Sequence, residues 1–192
     1  MSKKTYEEEC ELCKISQGKD YDVTERGGII KLKGNWTLNH YGGKEGFLGW
    51  LILQPQYHRE QLRDLEESES KALGPNIKDI EITLRKYWEK HFSKDPMERM
   101  YVIYFSESSA HLHFHVIARP KSIRELTLCR KACSGYSEIQ SEPVKVEAWN
   151  MPFATKCRRF PLEYNIWKDG KINKAMVSPL IDWMAENLKQ KE

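Results

Sequence analysis

No stretch of this 192-residue chain approaches the ~20 apolar residues that a membrane span needs. The longest apolar runs, such as residues 47–53, are strand-sized. The N-terminal Met-Ser-Lys-Lys-Thr lacks the apolar stretch of a secretory signal, so a cytoplasmic location and no membrane partner are expected. There is no internal repeat and no low-complexity segment, and 11% aromatic residues argue against disorder. An excess of one charge is missing too. The formal net charge is +3, and the signs alternate along most of the chain, as on a solvated surface. That balance does not call for nucleic acid as a partner, and it is compatible with anionic small molecules. Cysteine is scarce: five thiols without an export signal point to reduced thiols or metal ligands, not to a disulfide framework.

What is present suits a globular protein, with 40% apolar and 31% charged residues. A chain of this size folds as one domain, or one domain with an extension, and buries about 70% of its unfolded surface. Residues 29–33 and Trp36–His40 read as two short strands joined at Gly34-Asn35. A glycine-rich loop (41–46) follows, then an almost continuous apolar run (47–54), a strand buried on both faces and ended by Pro55. From 64 to 91, Leu65, Leu73, Ile77, Ile80, Leu84, Tyr87 and Trp88 recur at three- and four-residue spacings. They predict a long helix, kinked or split at Gly74-Pro75. Residues 99–105 and 111–119 read as two more strands, paired through the short polar connection 106–110. Beyond 120 the pattern weakens: 121–132 suits a helix, 143–149 an extended segment, and 150–167 is irregular. Ser178-Pro179 ahead of 180–188 predicts a helix with Ser178 as N-cap and Pro179 first in the helix. Strands, a long helix, strands and an extension make an α+β protein with a mostly antiparallel sheet. The expected division is a domain at 1–120 and an extension, 121–192, packed on it.

The chemistry concentrates in His111-Leu112-His113-Phe114-His115-Val116-Ile117, which holds three of the six histidines. On a strand the three histidines share one face, and Leu112, Phe114 and Val116 face the core. Successive histidine Cα atoms are then ~6.7 Å apart and the outer pair ~13 Å, so all three cannot ligate one ion, while two neighbours can. Cys10-Glu11-Leu12-Cys13 has the spacing that brings two thiolates to one tetrahedral zinc, with histidines available to complete the set.

The heptapeptide His111–Ile117 resembles the His-φ-His-φ-His-φ-φ motif of the histidine triad (HIT) superfamily of nucleotide hydrolases and transferases. Three further pieces occur in that family's order. Cys10–Ile15 resembles the Cys-x-x-Cys-Lys-Ile of its zinc-containing members, residues 49–58 resemble the strand ending in Pro-x-x-His, and a helix with Leu65 and Glu69 follows. The resemblance covers residues 8–120 and implies a HIT-like sheet of about five strands with a long helix. It implies that His113 is the nucleophile, attacking an α-phosphorus to form a phosphohistidine, and that His115 donates to the transferred phosphoryl group. Cys10, Cys13, His58 and His111 would hold a structural zinc. Substrates would be dinucleoside polyphosphates or adenylylated small molecules, and a homodimer is compatible with it. Ser108 stands where members place a phosphate-contacting hydroxyl. Glu107 replaces a usual Gln, so the leaving-group contacts differ. Trp50 replaces a usual proton-relay histidine and would shape the nucleotide pocket.

Several readings stay open at this level. Asn39 is a ribose contact or a solvent-facing strand residue. His40 is expected on the surface, and so is His91, near the end of the helix where its charge suits the dipole. Cys129, Cys133 and Cys157 are buried or free thiols rather than a second metal site, and Lys156, Arg158 and Arg159 form a solvated loop. Nucleotidyl transfer to phosphate or another acceptor, nucleotide binding without turnover, and a catalytic ion on His111 and His113 are the competing functions.

Overall fold

The computed structural model describes residues 4–19, 27–42, 48–104, 109–121 and 176–188. The elements are α1 (Glu11–Ser16), β1 (Ile30–Leu32), β2 (Trp36–His40), β3 (Trp50–Pro55), α2 (Glu67–His91), β4 (Met97–Ile103), β5 (Phe114–Pro120) and α3 (Val177–Leu188). The five strands form one antiparallel sheet in the order β1-β2-β3-β5-β4. The protein is therefore α+β, as its sequence pattern predicts. The readings for 121–132, 143–149 and 150–167, the three cysteines there and the 156–159 basic cluster lie outside the described residues.

The β1–β2 hairpin turns where expected. Leu32 pairs with Trp36, and Gly34 (φ 67°) and Asn35 (φ 58°) take the left-handed conformation that a tight hairpin needs. Strand β3 begins at Trp50 rather than 47, because Gly49 at φ 83° breaks the extended run. A Cβ there would stand 2.6 Å from the Trp88 ring and 2.8 Å from Ala118 Cβ, so only glycine lets α2 and β5 close on this corner.

Alternation then sorts the sheet into two faces. Trp36, Leu38, Leu51, Leu53, Phe114, Val116 and Ala118 point to a core shared with Ile80, Leu84, Tyr87 and Trp88 of α2 and Val177, Leu180, Ile181 and Met184 of α3. Thr37, Asn39, Ile52, Gln54 and His115 belong to the opposite set, and in register Asn39, Ile52 and His115 make one row across three strands. The arm at residues 4–19 lies on that second side. Gln54 Nε2 donates to the Leu12 carbonyl (2.9 Å) and to Ser16 Oγ (2.8 Å), which buries polar Gln54 against α1.

Three expectations are corrected. Helix α2 is not split into two segments but runs through Gly74-Pro75, because both face solvent, where water can take the Lys71 carbonyl that Pro75 leaves without a donor. Helix α3 begins at Val177, so Ser178 lies inside the first turn, with Oγ 3.4 Å from Asp182 Oδ2. His40 is buried, not on the surface: it pairs with Leu51 in the sheet, and its Nδ1 donates to the Tyr41 carbonyl at 2.8 Å. His91 is exposed in the last turn of α2, as expected. Among the described residues no helix is long and apolar enough to cross a membrane.

Candidate metal centre and histidine cavity

Three segments far apart in sequence meet at the end of the sheet where β5 begins. Cys10 is the N-cap of α1 and Cys13 lies in its first turn, so the two thiols come toward the same point. The chain after β3 brings His58. His58 N donates to the Thr5 carbonyl (2.9 Å), tying this stretch to the arm. The residues before β5 bring His111. One potential ligand atom from each of the four lies within 4.8 Å of every other.

Three of the six ligand separations are close to the edges of a tetrahedral site. Cys10 Sγ and Cys13 Sγ each lie 3.4 Å from His111 Nδ1, and Cys13 Sγ lies 3.5 Å from His58 Nδ1. With zinc-type arms of about 2.3 Å to sulfur and 2.0–2.1 Å to nitrogen, a sulfur–nitrogen edge is about 3.6 Å. The ring atoms are correctly set. His111 Nε2 is 3.1 Å from the Pro55 carbonyl, an acceptor only, so Nε2 carries the proton and Nδ1 turns a lone pair to the thiols. Behind His58, Nε2 faces Glu7 Oε2 (3.6 Å) and Glu60 Oε1 (3.9 Å).

Burial holds Cys13 and His111 in their neutral forms. Burial pushes the Cys13 thiol up to about 12; the Glu7 N–H pulls it down, and neighbouring Cys10 pushes it further up. Burial draws His111 down to about 4, opposed by its bond to Pro55 and aided by His58 and His113. A neutral imidazole is what a metal takes. The Cys₂His₂ cluster could therefore hold a metal ion.

A buried ion pair braces the centre. Arg59 Nε and Nη2 reach Glu69 Oε2 (2.9 Å) and Oε1 (3.1 Å), with both residues almost fully buried. Arg59 Nη1 donates to the His58 carbonyl (3.0 Å), and the Arg59 carbonyl accepts from Leu112 N (2.6 Å). This clamp sits between two ligands. It carried no signal in the sequence beyond an arginine following Pro-x-x-His.

Beside the cluster lies a cavity of about 620 Å³, lined among others by Asn39, Tyr41, Ile52, His113 and His115. The histidines reach it by a route that differs from a straight strand. Pairing starts only at Phe114, and His111–His113 form the approach to β5, where Leu112 is bonded to Arg59 instead of to a strand. Leu112, Phe114 and Val116 still face the core. His113 Nδ1 lies 2.8 Å from the His111 carbonyl, so Nδ1 carries the proton and Nε2 holds the lone pair. The rings of His113 and His115 are 5.2 Å apart.

Asn39 is buried rather than solvent-facing; its Nδ2 donates to the His40 carbonyl and its Oδ1 has no protein partner. Trp50 is not among the cavity-lining residues: it stands beside His115 and stacks on Tyr41, with ring centroids 4.5 Å apart. Tyr41 and Ile52, which sequence reasoning missed, join the lining. Ile52 was legible through its pairing with Asn39, while Tyr41 lies in a loop without periodicity. Ser108 and Glu107 fall outside the described residues. No protein-family model matches the chain, and no curated protein matches it either.

Proposed function

We propose that this protein is a HIT-like nucleotide hydrolase that cleaves at an α-phosphate through a phosphohistidine on His113. The observation that carries this reading is the state of His113. Its Nδ1 proton is spent on the His111 carbonyl, which leaves the lone pair on Nε2 of a residue that lines a cavity of nucleotide-fitting size next to a second imidazole. A neutral imidazole aimed this way is a nucleophile for phosphorus.

In the reaction His113 Nε2 attacks the α-phosphorus, the bond from phosphorus to the leaving group breaks, and a P–N bond forms. His115 donates to a nonbridging oxygen, where charge must be held. Water then breaks the P–N bond and releases the nucleoside monophosphate. Asn39 Oδ1, buried and unpaired, accepts a ribose hydroxyl. Cys10, Cys13, His58 and His111 hold a zinc ion, which supplies rigidity to the arm and to the histidine approach. Glu7, Glu9 and Glu11 also line the cavity, and its described lining has no lysine or arginine. That charge repels a polyphosphate leaving group and favours adenylylated small molecules over dinucleoside polyphosphates.

The test is product analysis with both substrate classes. Turnover of an adenylylated small molecule is expected, with His113→Ala inactive and nucleotide affinity within about tenfold, ~1.4 kcal/mol. Wild-type-like turnover by His113→Ala refutes the mechanism. Nucleotide binding without any product refutes the hydrolase, and product that appears only with added phosphate identifies a phosphorylase.

A further inference from the structure

Trp50 lies diagonally across the β3–β5 pair from His115, since Trp50 pairs with Ile117 and Ile52 with His115. Its indole Nε1 donates to His115 Nδ1 at 3.0 Å, inside the protein. An indole nitrogen is a donor and never an acceptor. If His115 Nδ1 carried a proton, two N–H groups would face each other at that distance. The bond therefore exists only with the lone pair on Nδ1, and the neutral ring keeps its proton on Nε2. The indole is itself held. Trp50 is 3% exposed and stacks on Tyr41 with planes 21° apart, and Tyr41 meets the His115 ring edge-on at 6.0 Å.

We propose that Trp50 is a positioning residue, whose indole N–H fixes His115 as the Nε2–H tautomer. The consequence appears when the two histidines are compared. His113 has its Nδ1 proton bound to a carbonyl and offers a lone pair at Nε2. His115 has its Nδ1 lone pair bound to an indole, which places its proton on Nε2. Adjacent rings of one residue type are thus sorted into an acceptor and a donor by the opposite hydrogen-bonding character of what lies behind each. Under the hydrolase reading, on which this step rests, the sorting gives one nucleophile and one phosphoryl-oxygen donor without a proton transfer between them. A histidine at position 50 could accept as well as donate and would leave the assignment ambiguous; a tryptophan cannot.

The experiment begins with nuclear magnetic resonance of the metal-loaded, full-length ¹⁵N-labelled chain. At neutral pH the long-range ¹H–¹⁵N pattern should place the His115 proton on Nε2, and a through-hydrogen-bond coupling should link the Trp50 indole proton to His115 Nδ1. A proton on His115 Nδ1 overturns the proposal, whatever the protein catalyses. Trp50→Phe keeps an aromatic ring against Tyr41 and removes only the donor. The His115 Nδ1 resonance should move toward that of an unbonded ring nitrogen, and an unmoved resonance overturns the proposal. With an adenylylated substrate, Trp50→Phe should lower kcat roughly ten- to a hundredfold, the scale of a misplaced catalytic group, with KM within about twofold. An unchanged kcat overturns the positioning role. Failure of the wild type to turn over any nucleotide sinks the hydrolase reading and leaves the resonance result to decide this one.

Discussion

Replacing Glu69 by Gln tests the clamp behind the metal centre. The substitution keeps the side chain's shape and removes its charge, leaving the Arg59 guanidinium, itself 3% exposed, without its bidentate partner. Among the described residues Glu66 is the next carboxylate, 3.5 Å from Arg59 Nη2 and partly exposed, so it compensates little. Stranding one member of a buried pair typically costs about 3–5 kcal/mol. That is a large share of the roughly 5–15 kcal/mol that holds a domain together. At about 2–4 °C per kcal/mol for a chain of this length, the melting temperature should fall by roughly 6–20 °C. Calorimetry and urea unfolding of the metal-loaded protein measure it. The double variant Arg59→Met with Glu69→Leu removes both charges and should recover most of the loss, since apolar replacement of a buried pair is often neutral or better. A Glu69→Gln cost below about 1 kcal/mol, a typical exposed-pair value, refutes the reasoning.

Purified protein should carry one ion per chain by elemental analysis, retained in His113→Ala and lost in Cys13→Ser; a chain metal-free after growth and refolding in zinc contradicts the centre. Burial holds the Cys13 thiol up at about 12, so the metal-free thiol is protonated at neutral pH. Metal uptake should therefore release protons and tighten as pH rises, which titration in weak buffer detects. His115→Ala should slow turnover about 10²–10³-fold, the usual worth of one donor to developing charge, with His113 labelling still observable. Gly49→Ala should destabilise by more than about 1 kcal/mol, from its φ of 83° and the collision with Trp88 and Ala118; equal denaturation midpoints would contradict that geometry.

The sequence shows what alternation and spacing can carry. Leu112, Phe114 and Val116 were readable as the inward side of the histidine segment because a period of two survives even where strand pairing does not. The Gly34-Asn35 turn was readable because few residue pairs accept left-handed backbone together. The failures share a cause. The unbroken α2 depends on which way Gly74-Pro75 faces, the burial of His40 on its register with Leu51, and the Arg59–Glu69 clamp on where two distant segments cross. Trp50 could be seen as unable to relay protons, but its bond to His115 comes from a diagonal pairing that no local window contains. Each is a tertiary fact about residues whose neighbours in sequence say nothing of their neighbours in space.

The wide spacing of the four ligands bears on how the chain assembles. Cys13 and His58 are 45 residues apart, and Cys13 and His111 are 98 apart. An ion that gathered them in the unfolded chain would have to close the first loop alone at about 4 kcal/mol of chain entropy. The pairing of β3 with β5 brings the His58 and His111 segments together without any ion, leaving only the arm at large. The economical order is sheet first, then arm and ion together. Run backwards, the same order makes the arm the first part to leave: a chelator should expose residues 4–19 to protease while the strands stay paired. The centre is thus a latch on the beginning of the chain, closed last and opened first.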